Sequence, residues 1–358
     1  MHIPDGYLSP TTCGTFAAVM LPIWYRASRR IRRIVTSRYV PLVAVGAAFS
    51  FLVMMFNIPV PDGTTAHAVG AVMIAIVLGP WAAVVAVSIA LVIQALFFGD
   101  GGVLAIGANC FNMAVVIPFV GYAVYRLLGR GTSLTSTRRA IAAGVGGYLG
   151  VNAGALAAAV ELGLQPTLFH TANGTPLYAP FHLAQTIPAM ALAHLTVAGL
   201  AEFVVTFGVV AYLQRANVPI LRLNHPDVPV TDAELQRGKP LGWKHALAFF
   251  GALVALTPLG LLAPGTAFGE DAPTSLDLSK YHLSAVPRGL QQFSGFWSHA
   301  VLGGYGFESG GHPVIGYLLS AVVGCAVITL VLVGLVALYR RSVRRRGGGD
   351  GETQRAIA

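Results

Sequence analysis

The first two residues, Met1 and His2, carry the chemistry that a metal ion can use. The α-amine of Met1, the amide nitrogen of His2 and the ring Nδ1 of His2 close a five-membered and then a six-membered chelate ring around one ion. Three coplanar nitrogens suit a metal that favours square-planar nitrogen coordination, such as Ni(II) or Cu(II). One position of the plane stays open, so we expect a fourth nitrogen ligand elsewhere in the chain.

A later histidine, His67, stands at the end of a turn-forming segment that reads NIPVPDGTTAH. Two prolines and a glycine make this turn stiff, and His67 is expected to open the helix that follows. A histidine at a helix start is usually a surface or capping residue. Because the chelate at Met1 and His2 lacks one ligand, His67 becomes the leading candidate for the fourth position.

Polar side chains beside strongly apolar runs form a second group of interest. Such groups are costly in lipid and usually face the interior of the protein. There they either bond across helices or orient metal-binding histidines, and the sequence leaves both interpretations open. The residues that we expect to orient the ligands are Asp5, Thr65, Gln94, Asp100, Asn109 and Asn112.

The composition of the whole chain is that of an integral membrane protein. Of its 358 residues, 55% are hydrophobic and 10% are charged, whereas about a quarter of the residues of a soluble domain are charged. The sequence predicts an all-α, polytopic helical bundle of about nine membrane segments, a seven-segment core plus two. They are expected at about 11–27, 40–57, 66–79, 81–98, 103–126, 138–162, 182–213, 244–263 and 313–340. The 66–79 run is too short to span comfortably.

Basic residues predict the orientation of the chain in the membrane. They cluster after the first and fifth apolar runs, between the seventh and eighth runs, and in the tail. The chain is expected in the inner (plasma) membrane of the cell. The positive-inside rule then predicts that the N-terminus lies outside and the C-terminus lies in the cytoplasm. The net charge of +9 reflects this topology, and no nucleic-acid partner is expected. No cleavable signal peptide is expected, because the arginines follow the first apolar run.

Other residues with possible chemistry are weaker candidates. The three cysteines lack metal-type spacing and are interpreted as packing residues without a disulfide: Cys13, Cys110 and Cys325. Three histidines near the C-terminal end are irregularly spaced and are interpreted as surface residues: His282, His299 and His312. His194 and Glu202 lie two helical turns apart and so on one face. A packing pair or a subunit contact is favoured for them over a proton relay.

Five segments together resemble the CbiM/NikM proteins, the substrate-specific membrane components of cobalt and nickel energy-coupling factor transporters. The segments are MHIPDGYLSP, NIPVPDGTTAH, GPWAAVVAVSIALVIQALFFGDGG, GANCFNMAVV and HLTVAGLAEFVVTFGVVAYLQR, and the resemblance covers residues 1–215. It implies that the ion binds through the amine of Met1, the amide and imidazole of His2, and His67. Asp62 and Ala66 stand where glycine is usual in the family. They remove no ligand, but an extra carboxylate can alter capture or release of the cation.

The resemblance divides the chain into three parts. Residues 1–215 are expected to form the metal-binding transmembrane core, and 216–243 a polar cytoplasmic linker. Residues 244–358 resemble a fused two-helix extension akin to the accessory NikN/CbiN or PDGLE-type subunit. An external loop at about 264–312 separates its two helices. Whether this loop is a lid or an accessory-subunit mimic is left open by the sequence.

The expected function is capture of Ni2+ or Co2+, the transported substrate, without enzyme activity. The sequence has no G-x-x-x-x-G-K-[ST] phosphate loop, so separate cytoplasmic ATPase subunits and a transmembrane T component are expected as partners. A membrane-embedded metalloenzyme is a weaker alternative, since it needs an open coordination position and a general base, and no H-E-x-x-H motif is present. A self-sufficient secondary transporter is the other alternative, but it would show internal repeats.

Overall fold

The computed structural model describes residues 1–32, 40–60, 64–228, 230–236, 243–263, 265–307 and 311–355. Outside these ranges lie Asp62 with its neighbours Pro61 and Gly63 in the predicted turn, and four residues of the basic clusters: Arg33, Arg38, Arg237 and Lys239. The described chain is mostly helical, which confirms the all-α prediction. Its one sheet is a hairpin of two three-residue strands, β1 (Ile58–Val60) and β2 (Thr64–Ala66).

The helices of the first 216 residues form the core of the bundle. In chain order they are α1 (Pro10–Arg32), α2 (Val40–Met54), α3 (Ala71–Leu78), α4 (Pro80–Ile93), α5 (Ile106–Cys110), α6 (Ile117–Leu128), α7 (Thr137–Leu168), α8 (Leu183–Ala193) and α9 (Gly199–Ala216). Three short π-helical segments interrupt the α-helices. They extend α4 over Gln94–Phe98, join α5 to α6 over Phe111–Val116 and join α8 to α9 over His194–Ala198. These π-helical segments contain Gln94, Asn112 and His194.

The remaining helices lie in residues 216–358, the part of the chain that the sequence divides into a predicted linker (216–243) and a predicted extension (244–358). They are α10 (Val218–Arg222), α11 (Asp232–Leu235), α12 (Trp243–Leu256), α13 (Arg288–Phe293) and α14 (Pro313–Arg355). Short 3₁₀ turns lie at Thr257–Leu262, Pro273–Ser275 and Gly303–Tyr305.

Five helices within the described ranges are long and apolar enough to cross a membrane. They are Pro80–Phe98, Ile106–Leu128, Thr137–Leu168, Leu183–Ala216 and Pro313–Leu338. Two more apolar helices, Pro41–Met54 and Leu247–Leu262, are shorter. The α1 helix is long, but it ends in four arginines. A polytopic membrane bundle is therefore supported, and the count of nine segments stays a prediction.

Close packing of α6 against α7 depends on a glycine contact. A Cβ atom at Gly146 would lie 2.6 Å from the carbonyl oxygen of Gly121, so neither backbone can carry a larger side chain there. Helices in lipid have little hydrophobic drive to associate and rely on such close approach. The free thiols of Cys13 in α1 and Cys110 in α5 are buried, as expected for packing residues.

The segment predicted as a helix at 66–79 is shorter than expected. The α3 helix begins only at Ala71, and His67 lies in the connection between β2 and α3 instead of opening the helix. Gly70 stops the helix from starting earlier, because its φ of 72° is left-handed. The ring of Phe49 lies 2.7 Å from the position of a Cβ at Gly70, so only glycine fits. All eight residues of α3 are buried.

The far end of α3 is closed by the linker. The side chain of Asn224 donates to the carbonyl oxygens of Ala75 at 3.1 Å and Ile76 at 3.2 Å, and Nε2 of His225 lies 3.1 Å from the latter oxygen. The carbonyl oxygen of Ala75 also accepts from the N–H of Gly79 at 2.9 Å, so the linker adds hydrogen bonds to the last turn of the helix. The linker is thus packed against the bundle, and it helps to hold α3 in place.

The extension also packs on the core. The hydroxyl of Tyr317 in α14 donates to the carbonyl oxygen of Met55 at 3.0 Å. The loop between α12 and α14 crosses the end of α4, where the indole of Trp297 donates to the carbonyl oxygen of Leu96 at 2.9 Å. The N–H of Leu302 donates to the carbonyl oxygen of Phe97 at 3.0 Å. This loop therefore lies next to the residues 94–102.

We expect Gly70→Ala to destabilise the protein measurably. An L-residue in the left-handed region costs about 1–2 kcal/mol, and the new methyl group also meets the ring of Phe49. Thermal unfolding of the detergent-solubilised protein measures this loss. Gly14→Ala is the matched control, since its Cβ meets nothing within 4 Å. Equal melting temperatures for the two variants would contradict the tight fit at Gly70.

Candidate metal centre

The N-terminal segment is buried inside the bundle, beside the loop that follows α4. Met1, His2 and Ile3 are 4%, 3% and 2% exposed. The side chain of Asn109 in α5 holds Ile3 by both of its backbone groups. Its Oδ1 accepts from the N–H of Ile3 at 2.8 Å, and its Nδ2 donates to the carbonyl oxygen at 3.0 Å. The same carbonyl accepts from the N–H of Gly102 at 2.8 Å. Met1 and His2 are thereby fixed in one place.

Asp5 anchors the other end of this segment. Its carboxylate accepts from the N–H groups of Val103 at 3.1 Å and Leu104 at 2.8 Å. These donors belong to the loop that follows α4, so the N-terminus is tied to the Gly-rich segment 99–102. The buried backbone polar groups gain the partners that they lose to water on burial.

The rings of His2 and His67 stack on each other with their centroids 5.1 Å apart and their planes at 25°. Nδ1 of His67 donates to the carbonyl oxygen of Ala68 at 3.0 Å, and Nδ1 of His2 lies 3.2 Å from Oδ1 of Asp100. Nε2 of each ring is buried and has no hydrogen-bond partner among the described residues. The predicted chelate uses Nδ1 of His2, so that atom must exchange Asp100 for the ion.

The His67 ring is neutral in this environment. Burial lowers the pKa of His67 well below its usual value, and the nearby Met1 amine and His2 imidazole lower it further. Only a neutral imidazole offers a lone pair to a metal.

The α-amine of Met1 is paired with a residue far along the chain. It donates to Oε1 of Glu270 at 2.9 Å, and Glu270 lies in the loop of the extension. The amine can bind a metal only after it loses a proton, so this ion pair must open for a chelate to form. Sequence reasoning noticed Glu270 only as part of a loop, since no local pattern connects residues 269 positions apart.

Asp100 connects His2 to a second residue of the extension. Its Oδ2 accepts from the hydroxyl of Tyr305 at 2.5 Å and from Nε2 of Gln94 at 3.3 Å. Tyr305 is buried and stacks on Phe98 with centroids 5.1 Å apart. Burial raises the pKa of Tyr305 well above its usual value, so the phenol keeps its proton and remains a donor to Asp100.

The structure brings together most of the predicted orienting residues. Asp5 and Asn109 hold the N-terminal segment, Asp100 contacts His2, and Gln94 donates to Asp100. Nδ2 of Asn112 instead donates to Oε2 of Glu161 at 2.8 Å. Thr65 is buried in β2, and no hydrogen bond of the described residues links its side chain to Met1, His2 or His67.

His194 and Glu202, both predicted to lie in a membrane segment, have different hydrogen-bond partners. Nδ1 of His194 lies 2.8 Å from the carbonyl oxygen of Met190, one turn earlier. The carboxylate of Glu202 accepts from the N–H groups of Val69 and Gly70. Both contacts fit the packing interpretation that the sequence favoured. The second contact ends two residues from His67.

Side-chain clusters alone do not reveal this site. Within the described ranges, no group of three or more His, Cys, Asp or Glu side chains is arranged to hold a metal ion. His282, His299 and His312 are exposed, as expected for surface residues. The candidate centre depends on two imidazoles together with the amine and the amide of the N-terminus. Four nitrogens of these types can together take a metal that favours square-planar coordination.

Known proteins resemble this chain over most of its length. Residues 2–220 match the CbiM family model, the cobalt uptake substrate-specific transmembrane region. A fused nickel transport protein NikMN of Rhodobacter capsulatus is 48% identical, and the match covers 97% of this chain and 100% of that protein. A probable fused nickel transport protein LarMN of Lactiplantibacillus plantarum is 44% identical, and the match covers 94% of this chain and 97% of that protein.

Solved structures give the same picture for the core. The crystal structure of a truncated transition metal transporter is 56% identical, with a TM-score of 0.56 over 60% of this chain and 98% of that chain. A second transition metal transporter is 54% identical, with a TM-score of 0.57 over 62% of this chain and 96% of that chain. The likeness to the two fused relatives extends over nearly the whole chain.

We expect Asn109→Ala to release the N-terminal segment. The variant loses two hydrogen bonds to Ile3, each worth about 1 kcal/mol, so the segment should open more often. Trimming by an aminopeptidase, followed by intact mass, measures the opening, and the variant should be trimmed roughly tenfold faster or more. Asn152→Ala is the control, because that side chain bonds only within α7, to the carbonyl oxygen of Tyr148. Equal trimming rates would show that Asn109 does not hold the N-terminus.

Proposed function

The chain belongs to the CbiM family of cobalt uptake substrate-specific transmembrane regions, and we propose on that premise that it captures Ni(II) or Co(II) for an energy-coupling factor importer. It is a multi-pass membrane component of metal uptake, and its relatives are transport proteins rather than enzymes. Nickel is the substrate that the names of the two fused relatives give. Cobalt is the substrate that the names of several CbiM relatives give.

The proposed ligands are the amine of Met1, the amide nitrogen and Nδ1 of His2, and Nε2 of His67. The observation that carries this proposal is the burial of all three residues beside one another, with His67 neutral and its Nε2 without a partner among the described residues. Glu270 and Asp100 are the groups that give up the amine and Nδ1 when the ion binds. The amine must be free for this to happen, and intact-mass measurement of the purified protein checks that Met1 is retained and unmodified.

Nickel fits this donor set better than cobalt does. A plane of four nitrogens suits low-spin Ni(II), although the same ligands also take Cu(II), which binds more tightly to most nitrogen sites. Selectivity must then come from the geometry of the site and from the metals available to the cell. Both the amine and the His2 amide lose a proton on binding, so the affinity is expected to rise with pH.

The extension is proposed to complete the external side of the site. Residues 1–215 form the metal-binding core, 216–243 the cytoplasmic linker and 244–358 the fused NikN- or CbiN-like part. The contacts of Glu270 with Met1 and of Tyr305 with Asp100 support a role of the extension at the metal site. They place two side chains of the extension on groups that belong to, or orient, the chelate.

Uptake against a gradient requires partners. We propose a transmembrane T component and cytoplasmic ATPase subunits, because the sequence has no phosphate loop of its own. The basic clusters support an N-terminus outside and a C-terminus inside the inner membrane. The metal is then captured outside and released inward when the partners drive a rearrangement of this subunit.

The N-terminal chelate can be tested by moving the amine. Two extra alanines at the N-terminus should weaken nickel binding by at least about a hundredfold, because they displace the amine from the chelate ring. A single extra residue is avoided, since it would place the histidine third and complete a plane from the new amine, two amides and the imidazole. His67→Ala should show a similar loss, since the plane loses its fourth nitrogen. Isothermal titration of purified, untagged protein with nickel measures both effects.

The matched control for His67 is an exposed histidine of the external loop. His299→Ala should bind nickel as the unmodified protein does, because His299 lies on the surface. Full affinity in the extended protein or in His67→Ala would reject the ligand set. Loss of binding in His299→Ala alone would move the site to the external loop.

A further inference from the structure

One buried carboxylate of the membrane region has no role in the proposed ligand set. Glu202 of α9 is fully buried, and its side chain accepts hydrogen bonds from the backbone at the start of α3. Oε2 accepts from the N–H of Val69 at 2.7 Å, and both oxygens accept from the N–H of Gly70, at 3.1 and 3.0 Å. The hydroxyl of Thr206 donates to Oε1 at 3.3 Å. A carboxylate at this depth is expensive, which makes a role beyond packing the default hypothesis.

The N–H of Val69 connects Glu202 to His67 through a single peptide group. That N–H and the carbonyl of Ala68 belong to the same planar, resonance-coupled amide. The carbonyl oxygen of Ala68 is the acceptor for Nδ1 of His67 at 3.0 Å. A continuous chain of hydrogen bonds therefore runs from the carboxylate, through the peptide group, to the imidazole. Bonds in such a chain polarise and strengthen one another.

We propose that Glu202 is a positioning residue that fixes the orientation and the tautomer of His67. With its proton held on Nδ1, the ring presents the lone pair of Nε2 to the ion. Carboxylates do this elsewhere by bonding a histidine ligand directly, and here the effect passes through the 68–69 peptide. The inference rests on the proposed function in one respect, namely that His67 is a ligand.

The neighbouring contacts hold the peptide group in the required place. The hydroxyl of Ser50 donates to the carbonyl oxygen of Val69 at 2.7 Å. Gly70 is held in the left-handed region with the ring of Phe49 against it. The segment from His67 to Gly70 is thus clamped from α2 and from α9. In the opposite tautomer, the lone pair of Nδ1 would face the carbonyl oxygen of Ala68 and repel it.

The main test compares two buried glutamates of similar exposure. Glu202→Gln keeps the size of the side chain but removes its charge and one of its two acceptor oxygens, so the hydrogen bonds to the 68–70 backbone are weakened. We expect nickel binding to weaken about 10–100-fold, the usual effect of losing a group that orients a metal ligand. Glu161→Gln is the control, because Glu161 bonds Asn112 and touches no proposed ligand. Its affinity should stay within about threefold of the unmodified protein.

A double-variant cycle separates action through His67 from a general loss of structure. If Glu202 acts through His67, then Glu202→Gln adds no further loss of nickel affinity in the His67→Ala background. An equal loss in both backgrounds, or an equal loss in Glu161→Gln, would overturn the proposal. Unchanged affinity of Glu202→Gln would overturn it as well.

The tautomer can also be read without any variant. Nitrogen-15 shifts of labelled histidine in the metal-free protein should show His67 protonated on Nδ1, with His67→Ala identifying its signals. A signal from Nε2–H would overturn the proposal even if Glu202→Gln fails to fold. Titration of His67→Ala with nickel separates the two levels of inference. Full nickel affinity in His67→Ala rejects the proposed ligand set. Loss of nickel affinity in His67→Ala, together with unchanged affinity in Glu202→Gln, rejects only the role of Glu202.

Discussion

The burial of the N-terminal segment is the constraint on which the structure around the candidate metal centre depends. A charged amine and several backbone groups are taken out of water at residues 1–3, and each needs a partner in a region of low dielectric constant. Asn109 satisfies Ile3, Asp5 ties the segment to the loop after α4, and Glu270 pairs with the amine. Without these partners, burial of the segment would be unfavourable, and no set of nitrogens would be held at one point.

The same constraint explains why the fused extension packs closely on the core. Glu270 and Tyr305 reach the amine and Asp100 from a loop that lies more than 160 residues beyond Asp100 in sequence. Glu270 contacts the proposed ligand amine directly, and Tyr305 contacts Asp100, which in turn lies beside Nδ1 of His2. These contacts are an ion pair and a hydrogen bond. Substitutions of Glu270 and Tyr305 can therefore test the contribution of this loop without removal of residues 244–358.

The local chemistry could be predicted from sequence, whereas the long-range contacts could not. Met1, His2 and His67 follow from the geometry of an amino-terminal chelate and from one missing ligand. Asp5, Gln94, Asp100 and Asn109 follow from the cost of polar groups beside apolar runs. Glu270 and Tyr305 lie in a loop whose path no local pattern fixes. The late start of α3 was missed as well, because it depends on the left-handed Gly70 and the ring of Phe49.

The central claim is that a Ni(II) ion is held in a plane of four nitrogens that includes the amine of Met1. X-ray absorption at the nickel edge of the loaded, untagged protein tests it most directly. The account predicts the pre-edge feature of a square-planar centre and a single shell of four short nitrogen distances. A six-coordinate spectrum dominated by oxygen would contradict it, because that result would mean that the ion is bound by carboxylates or water.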